Sequence, residues 1–239
     1  MHGLEIVRSA FWSPESREPA QWLAHWSATS DGAAPAAIPD GAIPAAQRRR
    51  MSPLAKLAVE IALETAGDAA PDFLVFCSQH GDLTRLREML GDIARGTELS
   101  PTSFSQSVHN ASAGLFTIIA QSRAPAISLA AGASTFAQGW IEAEGFLLQH
   151  PGARVLLVCY DEPLPAEYAP FSRAARCHYA LGVLLRRAAA GGITLASAPP
   201  ERDEPLPLAP RFAAWAPSGA ASLRVTADGQ GWIFARDAA

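Results

Sequence analysis

The segment LAAGASTFAQGW, which begins at Leu129, carries the residues with the clearest chemical potential. Its pattern predicts a strand, a turn of small residues and an amphipathic helix. Such a turn directs the first backbone amides of the helix toward one point, where they can stabilise an anion or lower the pKa of a thiol. Several acyl-transfer folds hold their nucleophile at this point, but here Gly132 occupies the tip of the turn. The sequence therefore predicts a nucleophile elbow that has no nucleophile.

Two other residues are candidate nucleophiles. Ser134 lies where the helix begins, so it is expected to cap the helix with its side-chain oxygen. As a nucleophile it would not fit the GxSxG elbow, because Phe136 stands where a second small residue is needed. Cys177 lies beside His178, but neighbouring residues on a strand point to opposite faces and pair poorly as nucleophile and base. A stand-alone acyltransferase or thioester hydrolase using Ser134 or Cys177 is therefore the alternative function.

Further polar residues lie next to predicted strands and helices. His109 and Asn110 precede a helix, where they either brace a loop or line a pocket. His80 follows a strand, at the edge where ligands often bind in α/β sheets. Asp161 and Glu162 follow another strand, and a solvated turn is the simpler interpretation of this pair. The sequence has no metal-ligand cluster, phosphate loop or dinucleotide fingerprint, so we expect no metal and no cofactor.

Charge and composition exclude some classes of protein. The net charge of −4 disfavours general binding of nucleic acid. The basic run Arg48, Arg49 and Arg50 is either a solvated face or a patch for an acidic partner. The chain has no run of 18 apolar residues, which predicts no membrane span, and MHGLEIVRSAFW lacks the features of a secretory leader. We therefore expect a cytoplasmic protein.

The elements that must position these residues alternate between strands and helices. Strands are predicted at residues 4–10, 73–77, 126–130, 154–160 and 179–186. Helices are predicted from Ser52 to Gly67, from Asp82, from Ser112 to Ser122 and from Ser134 to Gln149. In the second of these, apolar residues spaced three or four apart predict a buried face, which consists of Leu83, Leu86, Leu90 and Ile93.

This order predicts an α/β fold in which a mostly parallel five-stranded sheet has one antiparallel strand and helices on both faces. Residues 1–190 would form the main domain, with a Pro- and Ala-rich excursion at residues 12–52. Residues 191–239 would form a C-terminal extension, with short strands near Ile193, Leu223 and Trp232.

Several segments together resemble one protein family. The most specific are SVHNASAGLF, ISLAAGASTFAQGWIEA and VLLVCYDEPLP. They are similar to the β-ketoacyl synthase-like chain-length factors, which belong to the thiolase-like superfamily and accompany type II polyketide and aryl-polyene pathways. The resemblance covers roughly residues 1–190 and implies the N-terminal half of a thiolase-like fold.

The departures from the family pattern bear on catalysis. A working ketosynthase would carry a reactive cysteine where this chain has Gly132, and a second half-fold with two histidines, before which this sequence stops. The glycine-rich entry to the last strand of the half-fold is replaced by SRAARCHYALGVLL. The resemblance therefore implies a non-catalytic subunit that pairs with a ketosynthase along a sheet edge and shapes its acyl tunnel.

The same resemblance implies which residues contact the partner proteins. Those expected at the tunnel or the interface are His109, Asn110, Phe116, Ser134 and Phe136. A third option is a homodimeric scaffold that binds an acidic acyl carrier protein through the basic run from Arg48 to Arg50, an interaction that high salt should weaken.

Overall fold

An eight-stranded sheet runs through the part of the chain that our computed structural model describes, residues 3–26, 38, 41–168, 178–202 and 206–237. The five strands predicted above are present with ends shifted by at most two residues, and three more follow them. The strands are β1 (Leu4–Trp12), β2 (Phe73–Cys77), β3 (Ala126–Leu129), β4 (Arg154–Asp161), β5 (Tyr179–Arg187), β6 (Gly192–Ala198), β7 (Ser222–Ala227) and β8 (Gln230–Asp237).

The helices begin and end at the residues that local chemistry favours. Ser52 accepts a hydrogen bond from the amide of Ala55, Pro53 occupies the first turn of the following helix, and Gly67 ends it. The helices are α1 (Pro19–Trp26), α2 (Ala45–Arg48), α3 (Pro53–Ala66), α4 (Leu83–Arg95), α5 (Pro101–Ser105), α6 (Ala111–Ile119), α7 (Thr135–Gln149) and α8 (Leu208–Trp215).

The sheet is mixed, which corrects the prediction of a mostly parallel five-stranded sheet. Its strand order is β3-β2-β4-β5-β1-β6-β8-β7. Among the described strands the parallel pairs are β2–β3 and β2–β4. All other pairs among the described strands are antiparallel, including the predicted antiparallel pair β4–β5. Periodicity marks a strand but carries no information about its neighbour or direction, so the error arose in the pairing and not in the strands.

Both faces of the central strands are buried, each under a different set of helices. One face packs on α3 and α6, and its core includes Phe76, Leu156 and Tyr160. The opposite face packs on α7 and α8, and its core includes Cys77 and Cys159. These two cysteines are almost fully buried, which confirms their interpretation as small core residues.

Helix α7 lies very close to the sheet because Gly139 faces it. A Cβ atom added at Gly139 would collide with the sulfur of Cys77 and crowd the side chain of Leu157. This close contact fixes the position of α7, and with it the position of the turn that precedes the helix.

Helix α4 departs from the sequence prediction. Leu86, Leu90 and Ile93 are 39%, 49% and 57% exposed, so the expectation that they face inward is wrong. Met89 is the buried residue of the helix. The apolar periodicity of α4 is genuine, but the rest of the described chain does not cover that face.

Regular elements also form in the two regions for which the sequence pattern was weakest, residues 12–52 and 191–239. Helices α1 and α2 lie within residues 12–52, and Trp22 of α1 is 1% exposed in the core. Strands β6, β7 and β8 confirm the short strands expected after residue 190, and they extend the same sheet. The division into residues 1–190 and 191–239 stays a prediction. Within the described ranges, no helix is both long and apolar enough to cross a membrane.

Candidate functional site

The predicted elbow lies between β3 and α7, as the sequence indicated. Gly132 has a φ of +56°, in the left-handed region that favours glycine. The hydroxyl of Thr135 closes the turn, because it donates to the carbonyl of Gly132 at 2.6 Å and accepts from the amide of Ala131 at 2.9 Å. The tip of the elbow therefore presents backbone only.

Ser134 occupies the N-cap position of α7, but its hydroxyl does not cap the helix. The indole Nε1–H of Trp232 donates to Ser134 Oγ at 2.9 Å, and Ser134 Oγ donates to the carbonyl of Ala227 at 3.4 Å. The side chain is 8% exposed, and in the described part of the chain no imidazole or carboxylate bonds to it. The expected capping bond is thus wrong, and the hydroxyl instead joins the elbow to β7 and β8.

The turn between β7 and β8 reaches the elbow directly. Asp228, in this turn, accepts a hydrogen bond from the amide of Ala133 at 2.6 Å. A Cβ atom added at Gly132 would collide with the same carboxylate oxygen. Sequence reasoning missed this contact, although the Asp228-Gly229 pair between two strand patterns is a strong signal for a hairpin turn.

His109 braces a loop, which is one of the two roles left open by the sequence. Its Nε2 lies 2.9 Å from the carbonyl oxygen of Ser78, just after β2. Its ring also lies against Gly81, which has a φ of +63°. Asn110 occupies the N-cap of α6, but its exposed side chain makes no capping bond.

Asp161 is the centre of a buried hydrogen-bond network, so the solvated-turn interpretation is wrong for this residue. It is 6% exposed. Its carboxylate accepts from the hydroxyl of Tyr179 at 2.7 Å, the amide of Gln79 at 2.8 Å and the hydroxyl of Ser78 at 2.9 Å. The network joins the ends of β2 and β4 to the start of β5, and the backbone of Ser78 links it to His109.

Burial raises the pKa of Asp161 to about 6, although the hydrogen bonds from Tyr179, Gln79 and Ser78 act in the opposite direction. The folded state therefore holds a proton that the unfolded state has lost between about pH 4 and pH 6. Across this range the free energy of unfolding should fall as the pH rises, by up to about 3 kcal/mol. Urea titrations at several pH values measure the free energy of unfolding of the wild type and of Asp161→Asn. If this free energy changed with pH equally in both proteins, the prediction would be contradicted.

A second polar group lies beside this network. Glu162 Oε2 is 3.7 Å from His178 Nε2, and both side chains are about nine-tenths buried. The other polar atoms of this pair, Glu162 Oε1 and His178 Nδ1, are buried without a hydrogen bond, as is Oδ2 of Asp82. No group of three or more His, Cys, Asp or Glu residues in the described ranges is arranged to hold a metal ion.

The remaining predicted residues lie apart from the elbow or within the core. Phe116 packs against Phe76, with ring centroids 5.8 Å apart, and is 1% exposed. Phe136 is 2% exposed, within an aromatic cluster of α7, α8 and β8. Arg48 pairs with Glu60 at 2.7 Å, whereas its two neighbours in the basic run, residues 49 and 50, are exposed. Cys177 lies outside the described residues.

The surface of the described chain includes a free strand edge and several exposed apolar side chains. Strand β3 is the last strand at its end of the described sheet, so its outer edge has no partner there. Helix α6 packs beside β3, and Ile118 of that helix is 68% exposed. Further exposed apolar side chains lie on the consecutive elements from α4 to the loop after α5; with Ile118 we call them the α4–α6 apolar residues: Leu86, Leu90, Ile93, Phe104 and Val108.

Comparison with known proteins identifies the family. The family model for the beta-ketoacyl synthase, N-terminal domain, matches residues 20–231. A chain from the ketosynthase (ApeO) in complex with its chain length factor (ApeC), from Xenorhabdus doucetiae, is 29% identical, with a TM-score of 0.82, covering 99% of this chain and 100% of that one. A search of curated proteins gives no match.

Two further solved structures share the fold at lower identity. The ishigamide ketosynthase/chain length factor is 16% identical, with a TM-score of 0.65, over 82% of this chain and 67% of that one. A beta-ketoacyl synthase from Burkholderia phymatum STM815 is 13% identical, with a TM-score of 0.61, over 83% and 65%. The family model and the ApeO/ApeC match confirm the resemblance read from the sequence, and the matched structures confirm its thiolase-like α/β class. The chain belongs to the family of the beta-ketoacyl synthase N-terminal domain.

Proposed function

We propose that this chain is a non-catalytic chain-length factor that forms a heterodimer with a ketosynthase and shapes the acyl tunnel of that partner. The pathway would be aryl-polyene, polyketide or fatty-acid-like biosynthesis. The observation that carries the proposal is the elbow, where Gly132 offers no side chain and the hydroxyl of Ser134 is engaged by Trp232. The similarity over the full length of a chain from a ketosynthase–chain length factor complex supports it.

The free edge of β3 suits the proposed pairing. An edge strand presents unpaired amide and carbonyl groups, which a strand of a second protein can satisfy. Ile118 lies on the helix beside this edge, and it and the other α4–α6 apolar residues provide surface that gains free energy when it leaves water. Both features favour a partner that is itself a sheet-containing protein with a complementary apolar surface.

The proposed tunnel residues differ in how they could act on a partner. Of the five, Asn110 has an exposed side chain and can contact the partner directly. Phe116 and Phe136 are core residues of this chain, so any influence on the tunnel would pass through the backbone that they support. Arg49 and Arg50 are available to an acidic acyl carrier protein, whereas Arg48 is already paired with Glu60.

A stand-alone acyltransferase or thioester hydrolase is the alternative. Ser134 would need a base to remove its proton, and its described hydrogen-bond partners are an indole and a carbonyl. This observation favours the non-catalytic role over the alternative that uses Ser134.

The decisive experiment combines co-expression with acyl trapping. The chain is expressed with a candidate ketosynthase that carries the reactive cysteine, and elongation of a carrier-bound thioester is assayed for the chain alone, the partner alone and the pair. We expect the two proteins to co-purify, the chain alone to be inactive, and Ser134→Ala to leave elongation by the pair within about twofold, if the complex still forms. A covalent acyl group on Ser134 of the isolated chain, found by mass spectrometry, would refute the proposal.

A further inference from the structure

We propose that Asp228 is an internal ligand of the elbow. Its carboxylate fills the space that a nucleophile would need, and it accepts the hydrogen bond that a substrate would otherwise accept from the backbone amide of Ala133. The proposal deepens the proposed function, since it gives a structural reason why the elbow is closed. It rests on that function only in taking the elbow as the position where a catalytic relative holds its nucleophile. It also assigns a role to the C-terminal hairpin, which lies beyond residues 1–190, the part of the chain that the resemblance read from the sequence covers.

The hydrogen bond to Ala133 is the first line of evidence. Asp228 is 95 residues away in sequence, yet Oδ2 accepts from the amide of Ala133 at 2.6 Å, a short bond of the charge-assisted type. This amide lies in the turn, one residue before the N-cap of α7, next to the amides that would stabilise negative charge in an acyl-transfer site. The carboxylate therefore satisfies a donor that would otherwise be available to a thioester or a thiolate.

The space at the tip of the elbow is the second line of evidence. A Cβ atom on Gly132 would collide with Oδ2 of Asp228, so a side chain at the tip and the carboxylate in its present position exclude each other. The contact from Asp228 and the left-handed φ thus both favour glycine at position 132. Restoring a cysteine at this position would not by itself restore an open elbow.

The hairpin is built to hold this position. Asp228 and Gly229 have φ values of +50° and +73°, the conformation of a tight two-residue turn that Asp-Gly favours. Trp232, four residues further on in β8, donates to Ser134 beside the elbow, and Ser134 donates to the carbonyl of Ala227. Asp228 itself is exposed, so its effect depends on the space it fills as much as on its charge.

The test introduces a thiol where the nucleophile is missing. In a Cys177→Ser background, we compare Gly132→Cys alone with the same change combined with Asp228→Asn or Asp228→Gly. The asparagine keeps the volume and removes the charge, and the glycine removes both while suiting the left-handed φ of the turn. The rate of alkylation by iodoacetamide is measured against pH, and intact mass counts the modified thiols; Cys77 and Cys159 are buried and should stay unmodified.

We expect the glycine double variant to react about tenfold faster at neutral pH than Gly132→Cys alone, with a thiol pKa below about 8.5, because the start of α7 then stabilises the thiolate. The asparagine double variant should lie between them. Equal alkylation rates with and without the Asp228 side chain would overturn the proposal.

A second measurement needs no cysteine. In Asp228→Gly the amide of Ala133 loses its carboxylate ligand, so added acetate should raise the melting temperature of this variant in a saturable manner and leave the wild type unchanged. The same response in both proteins, or in neither, would also overturn the proposal. Both measurements use the isolated chain, so they are independent of whether a ketosynthase binds it.

Discussion

Replacing Ile118 with Asp should weaken binding of the ketosynthase by about 30-fold or more, which corresponds to about 2 kcal/mol. Ile118 is 68% exposed on α6, next to the free edge of β3, so the new carboxylate stays hydrated in the free chain. In the complex it would lose that hydration without gaining a partner, and an unpaired buried charge is costly. Dissociation constants from surface plasmon resonance or calorimetry give the measurement.

The matched control is Val7→Asp. Val7 is also apolar and 45% exposed, but it lies on β1, which is four positions from β3 in the strand order. We expect this variant to bind the ketosynthase as the wild type does, and both variants to keep melting temperatures close to that of the wild type. If both variants weaken binding equally, or neither does, the partner does not bind at the β3 edge.

Replacing Phe136 with Ala should destabilise the chain by about 3–5 kcal/mol, the usual cost of removing a buried aromatic ring. Phe136 is 2% exposed, and its ring centroid lies 4.9 Å from that of Phe212 and 6.0 Å from that of Phe234. Few neighbours can move into the cavity, because α7 is held close to the sheet at Gly139. Equilibrium unfolding in urea measures the loss.

The control is Phe104→Ala, the same substitution at a side chain that is 61% exposed. Its free energy of unfolding should stay within about 0.5 kcal/mol of the wild type, whereas its affinity for the ketosynthase should fall. Similar unfolding free energies for the two variants would contradict the assignment of Phe136 to the core. The pair also shows how to test tunnel residues: a change in product length from a Phe136 variant is interpretable only after its stability has been measured.

The α4–α6 apolar residues show where sequence reasoning reached its limit. The spacing of three and four residues in α4 identified an amphipathic helix correctly, but it could not tell whether the apolar face meets the core of this chain or another protein. A periodic pattern indicates that one face of the helix is apolar. The same pattern results whether that face is buried within the chain or in a complex with another protein. Exposure of Leu86, Leu90 and Ile93 is visible only in the folded chain.

Asp161 shows the same limit for polar residues. Two acidic residues after a strand were interpreted as a solvated turn, yet the first is buried among donors from Ser78, Gln79 and Tyr179. Two of these donors precede it by more than 80 residues and the third follows it by 18. Such a network depends on which strands are neighbours, and that pairing cannot be deduced from the local sequence.

The sequence by itself determined the strands, the main helices, the family and the elbow with Gly132 at its tip, because each of these follows from local periodicity, turn chemistry or a short motif. Only the tertiary structure decided the mixed strand order, the free edge of β3 and the contact from Asp228 to the elbow. These depend on which strands are neighbours and on a side chain that contacts a backbone amide 95 residues away. Such contacts form only when distant parts of the chain come together.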